Sequence, residues 1–118
     1  MPEIPEISAP SLKLRTLVHE SEISVQCSGR LNSSNATVLK SHLKDLLPKT
    51  KHLVLDLTDL TQMDSSGLGA IVAVYISARN TGTTLELINL NARIRELFGL
   101  TNLLSVFETC GRYGTRMP

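Results

Sequence analysis

The sequence predicts an α/β domain: a mixed sheet of four or five strands with helices packed on it. Three observations lead there. Residues 11–27 alternate apolar and polar side chains with a period of two, the mark of half-buried strands. Residues 36–47 carry apolar side chains at steps of three and four, the mark of a helix with one buried stripe. Residues 52–88 then read as strand, helix and strand joined by short loops, which is a parallel, right-handed crossover. At 118 residues the chain is long enough for one two-layer core and too short for two.

Residues 1–10 hold Pro2, Pro5 and Pro10 with little apolar pattern, and are expected to form a flexible lead-in before a domain spanning residues 11–108. From Ser11 to Val18, Leu12, Leu14, Thr16 and Val18 share one face and Lys13 and Arg15 the other. A polar turn, His19–Glu22, leads to the alternating run Ile23–Cys27, so the pair reads as a hairpin. Asn32, Ser33, Ser34 and Asn35 offer capping side chains to the helix whose stripe is Ala36, Leu39, Leu43, Leu46 and Leu47, and Pro48 stops it. His52–Thr58 has the length and branched content of a central strand covered on both faces. Leu68–Asn80 forms a helix broken by Gly82, and Thr83–Ile88 forms a strand with Leu85 and Leu87 inward. Asn91 caps a short helix with Ile94, Leu97 and Phe98 inward, where Gly99 suits a left-handed end. Leu103–Phe107 is expected to supply a last turn and short strand, and residues 109–118 a short flexible tail.

Composition narrows the function. A chain 42% apolar and 19% charged is neither disordered nor a membrane span, and a net charge of +1 offers no broad field for direct nucleic-acid or lipid binding. The acidic, Pro-rich start lacks the order of an export signal, so the cytoplasm is the expected compartment. There Cys27 and Cys110 are expected to be free thiols, Cys27 in the core.

The chemistry-bearing stretch is Gln62–Tyr75, QMDSSGLGAIVAVY. It falls just past the carboxyl end of the central strand, where open α/β sheets meet ligands and partners. Asp64 and Ser65 can cap the helix that begins there. From Leu68 to Ile76 every residue except Gly69 is apolar, so part of that helix is expected to be a docking surface. A hydrolase elbow would need a glycine where Met63 stands, and His19, His42 and His52 are expected to be solvated instead of acting as a base. No lysine follows Gly67 as in a phosphate-cradling loop, and no cluster has metal-ligand spacing. A receiver-type phosphate pocket around Asp56 lacks its acidic pair and its lysine, which leaves Asp56 solvated or hydrogen-bonded at the sheet's end.

The order strand, strand, G-R-L-N, helix, L-V-L-D-L, M-D-S-S-G-L-G, T-L-E-L-I-N-L-N resembles the STAS domains of bacterial anti-sigma factor antagonists, from Leu12 to Phe107. The resemblance implies the STAS (SpoIIaa-like) fold and a partner-switching cycle without catalysis or cofactor in the domain itself. Unphosphorylated, the domain would bind an anti-sigma factor serine kinase of ATPase-like fold and so free a sigma factor. The kinase would phosphorylate Ser65 and the pair would part; a metal-dependent serine phosphatase would reset it. Asp64, Ser66, Gly67 and Leu68, with Gly29, Arg30 and Asn32 of the preceding loop, are the implied partner contacts. Asn32 stands where the family usually has aspartate. The alternative implied role is a docking subunit of a lipid-transport or stress-sensing complex.

Overall fold

Six strands lie side by side in chain order, β1-β2-β3-β4-β5-β6, in a computed structural model that describes residues 3–100 and 115–116. The strands are β1 (Glu3–Ala9), β2 (Leu12–Val18), β3 (Ile23–Leu31), β4 (His52–Met63), β5 (Thr84–Ile88) and the two-residue β6 (Thr115–Arg116). β3, β4 and β5 run parallel, while β1, β2 and β6 join antiparallel, so the sheet is mixed. The helices are α1 (Ala36–Leu46), α2 (Ser65–Thr81) and α3 (Ala92–Leu100).

Alternation along the strands fixes the buried face. Leu12, Leu14 and Thr16 of β2 share it with Ile23, Val25 and Cys27 of β3, Leu53, Leu55 and Leu57 of β4, and Leu85 and Leu87 of β5. The α1 stripe, Ala36, Leu39, Leu43 and Leu46 with Leu47 after it, packs there as the spacing predicts, as do Leu68, Ala70, Ile71, Val74 and Ala78 of α2. Each large side chain so buried contributes about 1.5–3 kcal/mol. On the reverse face Val54 is buried and Asp56 only partly so, so cover on that side is incomplete. Cys27 is a free thiol, and burial with the nearby Asp56 charge pushes its pKa far above the ordinary value.

Several expectations need correction. The lead-in is β1, an edge strand paired with β2; Pro5 falls where the register slips between Ile4 and Ile7, so its missing N–H costs no ladder bond. Thr115 and Arg116 of the expected tail pair with Leu87 and Glu86. α3 runs through Gly99 to Leu100, so that glycine does not end it. Gly82, by contrast, does end α2, at φ +74° with its N–H on the Ala78 and Arg79 carbonyls. The expected strand at Leu103–Phe107, and Cys110, lie outside the described residues.

The histidines are also less solvated than expected. His52 Nε2 meets Glu86 Oε1 at 2.8 Å, and His19 Nε2 lies 3.4 Å from Ser24 Oγ. His42 Nε2 on α1 reaches the buried Thr16 Oγ1 on β2 at 2.7 Å. Burial lowers the His42 pKa from 6.5, with Lys49 adding to it and Asp45 opposing. The native state therefore binds fewer protons here than the unfolded chain, and the stabilisation, complete above pH 6.5, is lost as pH falls below it. The melting temperature of the wild type should drop more than that of His42→Gln between about pH 7.5 and about pH 5.5. Parallel curves in differential scanning fluorimetry would show that His42 carries none of the dependence.

Candidate functional site

β4 ends at Met63, and the chain turns at Asp64 into α2. Asp64 has extended backbone angles, φ −105° and ψ −172°, and its Oδ1 accepts from the Ser66 and Gly67 amides at 2.9 and 3.1 Å. Those bonds satisfy two of the donors that any helix start leaves orphaned. The Asp64 amide donates to the Leu31 carbonyl at 3.2 Å, which ties this junction to the end of β3. Ser65 is the first residue of α2, exposed, and its hydroxyl has no hydrogen-bond partner among the described residues.

Helical phase decides which neighbours of Ser65 face outward. At 100° per residue, Ser65, Ser66, Gly69 and the 54%-exposed Ile76 point away from the sheet, while Gly67 and Leu68 point into it. A Cβ on Gly67 would lie 2.7 Å from Leu31 Cγ and 2.8 Å from Met63 Cγ, so this glycine lets α2 sit close against β3 and β4. Gly67 and Leu68 are therefore core residues and not surface contacts, contrary to what the resemblance implies. The other implied contacts, Asp64 and Ser66 with Gly29, Arg30 and Asn32, stay at least partly accessible.

The end of β3 and the loop after it are held by bonds that the sequence does not announce. Gly29 has φ +106°, and the Arg30 amide donates to the Ser11 carbonyl at 2.8 Å. Asn35, expected as a helix cap, makes no cap bond. Fully buried, it donates through Nδ2 to the Pro10 and Arg30 carbonyls at 2.6 and 2.9 Å, and its Oδ1 accepts from the Asn32 amide at 2.9 Å. Asn32 accepts through Oδ1 from the Ser34 amide at 3.0 Å and from its hydroxyl at 2.6 Å, so it shapes the turn before α1.

Two clefts flank Ser65. One is lined by Arg30, Asn32, Gln62, Asp64 and Arg93 around Leu31 and Met63. The other lies between the starts of α1 and α2, where Ser33, Thr37 and Lys40 face Ser66, Gly69 and Ala70. Arg93 escapes local reading, because it is brought in by the docking of α3: Asn91 Nδ2 donates to the Leu60 carbonyl at 2.8 Å, and Asn91 Oδ1 caps the Ile94 amide at 2.9 Å. That expected cap is the one local signal that could have placed it.

Asp56 lies within β4, opposite the carboxyl end of β5 and well before the Asp64 junction, and is already engaged. Partial burial raises its pKa, yet hydrogen bonds from Thr58, Asn89 and Gln26 outweigh that and hold it below the usual carboxylate value. Asn89 Nδ2 reaches it at 3.0 Å. Among the described residues no group of three or more His, Cys, Asp or Glu could hold a metal ion, and no helix is long and apolar enough to cross a membrane.

Known proteins are similar to this chain in sequence and in fold. The STAS domain family matches residues 13–115. The anti-sigma-B factor antagonist of Bacillus subtilis is 32% identical over 90 residues, covering 76% of this chain and 83% of its own. An anti-sigma factor antagonist from Mycobacterium paratuberculosis superposes with a TM-score of 0.72 at 23% identity, over 84% of this chain and 86% of that one. The Bacillus cell fate determinant SpoIIAA in its phosphorylated form does so with a TM-score of 0.62 at 17% identity, over 78% and 84%. Together with the six-stranded mixed sheet and the Asp64-capped junction, these matches show that the chain belongs to the STAS-domain family of anti-sigma factor antagonists.

Proposed function

We propose that this chain is a cytoplasmic partner switch thrown by phosphorylation of Ser65. In its unphosphorylated form it binds an anti-sigma factor that is itself a serine kinase, and so releases a sigma factor for transcription. The observation that carries this reading is the Ser65 hydroxyl, exposed and without a partner among the described residues, on the first turn of α2 between two clefts.

The kinase supplies the chemistry. Ser65 Oγ attacks the γ-phosphorus of ATP, ADP leaves, and the hydroxyl proton passes to a base on the kinase. None of the three imidazoles, each hydrogen-bonded elsewhere, is required. The product phosphate sits at the positive end of α2, where a helix tolerates anionic charge. A related fold known in a phosphorylated form supports the idea that such a domain keeps its shape when modified. A metal-dependent serine phosphatase closes the cycle by hydrolysing the phosphoserine.

Incubation with the cognate kinase and ATP should add one phosphate, which fragmentation mass spectrometry places on Ser65. Ser65→Ala should accept none. A phosphate found on Ser66 in the wild type would overturn the assignment.

A further inference from the structure

The cleft beside Asp64 carries more positive charge than its surroundings balance. Two guanidinium groups, Arg30 and Arg93, stand at its rim, both exposed. Arg93 makes no hydrogen bond or ion pair among the described residues, and Arg30 reaches only Ser11 Oγ, at 3.5 Å. The single carboxylate in the cleft, Asp64, has Oδ1 turned to two amides of α2. Asn32, whose Oδ1 is engaged by Ser34, also lines the cleft. Three residues on separate elements, the end of β3, the loop after it and the start of α3, thus line one recess, two of them guanidinium donors.

We propose that this recess receives an acidic side chain, an aspartate or glutamate of the kinase, and that Arg30 and Arg93 thereby help select the partner. The inference rests on the partner-switching reading. A protein that reaches Ser65 comes up beside this cleft, because Asp64, next to Ser65, lines it. Planar guanidinium groups pair with carboxylates through two parallel N–H donors, and burial under a partner strengthens such bonds. A protein carboxylate suits the recess better than a phosphodiester chain. The basic groups form a pair in a cleft and not a stripe that could track a backbone, and the chain as a whole carries only +1.

Titration calorimetry with the cognate kinase tests the assignment. Arg93→Glu should weaken binding at least about tenfold at low salt and flatten the dependence of affinity on salt, because a rim charge steers and pairs across an interface. Arg93→Lys should retain most of the affinity, and both variants should melt as the wild type does, since the side chain is exposed. Arg30→Glu should act in the same direction. If the wild type binds the kinase and the two Glu variants bind equally well with the same salt slope, the recess plays no part and this inference falls alone. If the wild type does not bind the kinase, the partner-switching reading falls and this inference with it. A single-stranded oligonucleotide bound by the wild type and lost in both Glu variants would likewise overturn it, because the recess would then serve a phosphodiester.

Discussion

Replacing Ser65 by aspartate should weaken binding of the kinase about 100-fold, which corresponds to ~3 kcal/mol, while leaving the melting temperature nearly unchanged. The two halves of that expectation have separate causes. Within the domain, the new carboxylate joins the first turn of α2, where anionic charge interacts favourably with the helix by about 0.3–1 kcal/mol, and the neighbouring Asp64 charge offsets part of this. A shift within about 2 °C follows for a domain of this size. Across the interface, the charge must either be stripped of water or face a surface fitted to a neutral hydroxyl. It also stands beside the recess of Arg30 and Arg93, and can satisfy cations that the partner's acid would otherwise pair. Calorimetry on the wild type, Ser65→Asp and Ser65→Ala separates charge from shape. Ser65→Ala, which only deletes an unpartnered hydroxyl, should bind within a few-fold of the wild type. Equal affinity for the wild type and Ser65→Asp would refute release by charge.

How much of this was legible in the sequence depended on how local each cause is. The α1 stripe from Ala36 to Leu47 and the alternation in β2 and β3 are repeats of three to four and of two, and the structure buries those positions. The D-S-S-G junction was readable because capping acts over two or three residues, and Asp64 does cap. The edge strand β1 was hidden because Pro5 within it and the prolines around it read as breakers; only the register slip at Pro5 and the pairing with β2 reveal why Pro5 is tolerated. Asn35 looked like a cap because a cap and a tertiary clamp use the same side-chain atoms, and its partners at Pro10 and Arg30 decide the matter. His42 and His52 looked solvated because Thr16 and Glu86 are distant in the chain. Arg93 had only the Asn91 cap as a local signal, since the docking of α3 on Leu60 brings it to the cleft.

Gly29→Ala should be among the costliest single changes to stability, on the order of 3 kcal/mol, and it reaches the Ser65 junction through backbone alone. Gly29 sits at φ +106°, beyond the left-handed well that asparagine or aspartate occasionally visits, so any side chain is strained there. Space is worse than conformation: an added Cβ would fall onto the Ser11 carbonyl oxygen. That oxygen cannot swing aside as a side chain would. It accepts the Arg30 amide at 2.8 Å, Ser11 is itself at φ +62°, and the adjacent Pro10 carbonyl is bound by the buried Asn35. Relief therefore requires the turn between β1 and β2 to part from the end of β3. That strand end carries Arg30 and leads into Asn32, and its Leu31 carbonyl receives the Asp64 amide. A drop in melting temperature of roughly 10–20 °C is expected. Gly82→Ala is the control, because it shares a positive φ, +74°, but nothing lies within 4 Å of its added Cβ; it should cost only about 1 kcal/mol. If the two variants melted alike, the clash at Ser11 would not constrain the fold, and the β1–β2 turn would be free to move independently of the loop beside Ser65.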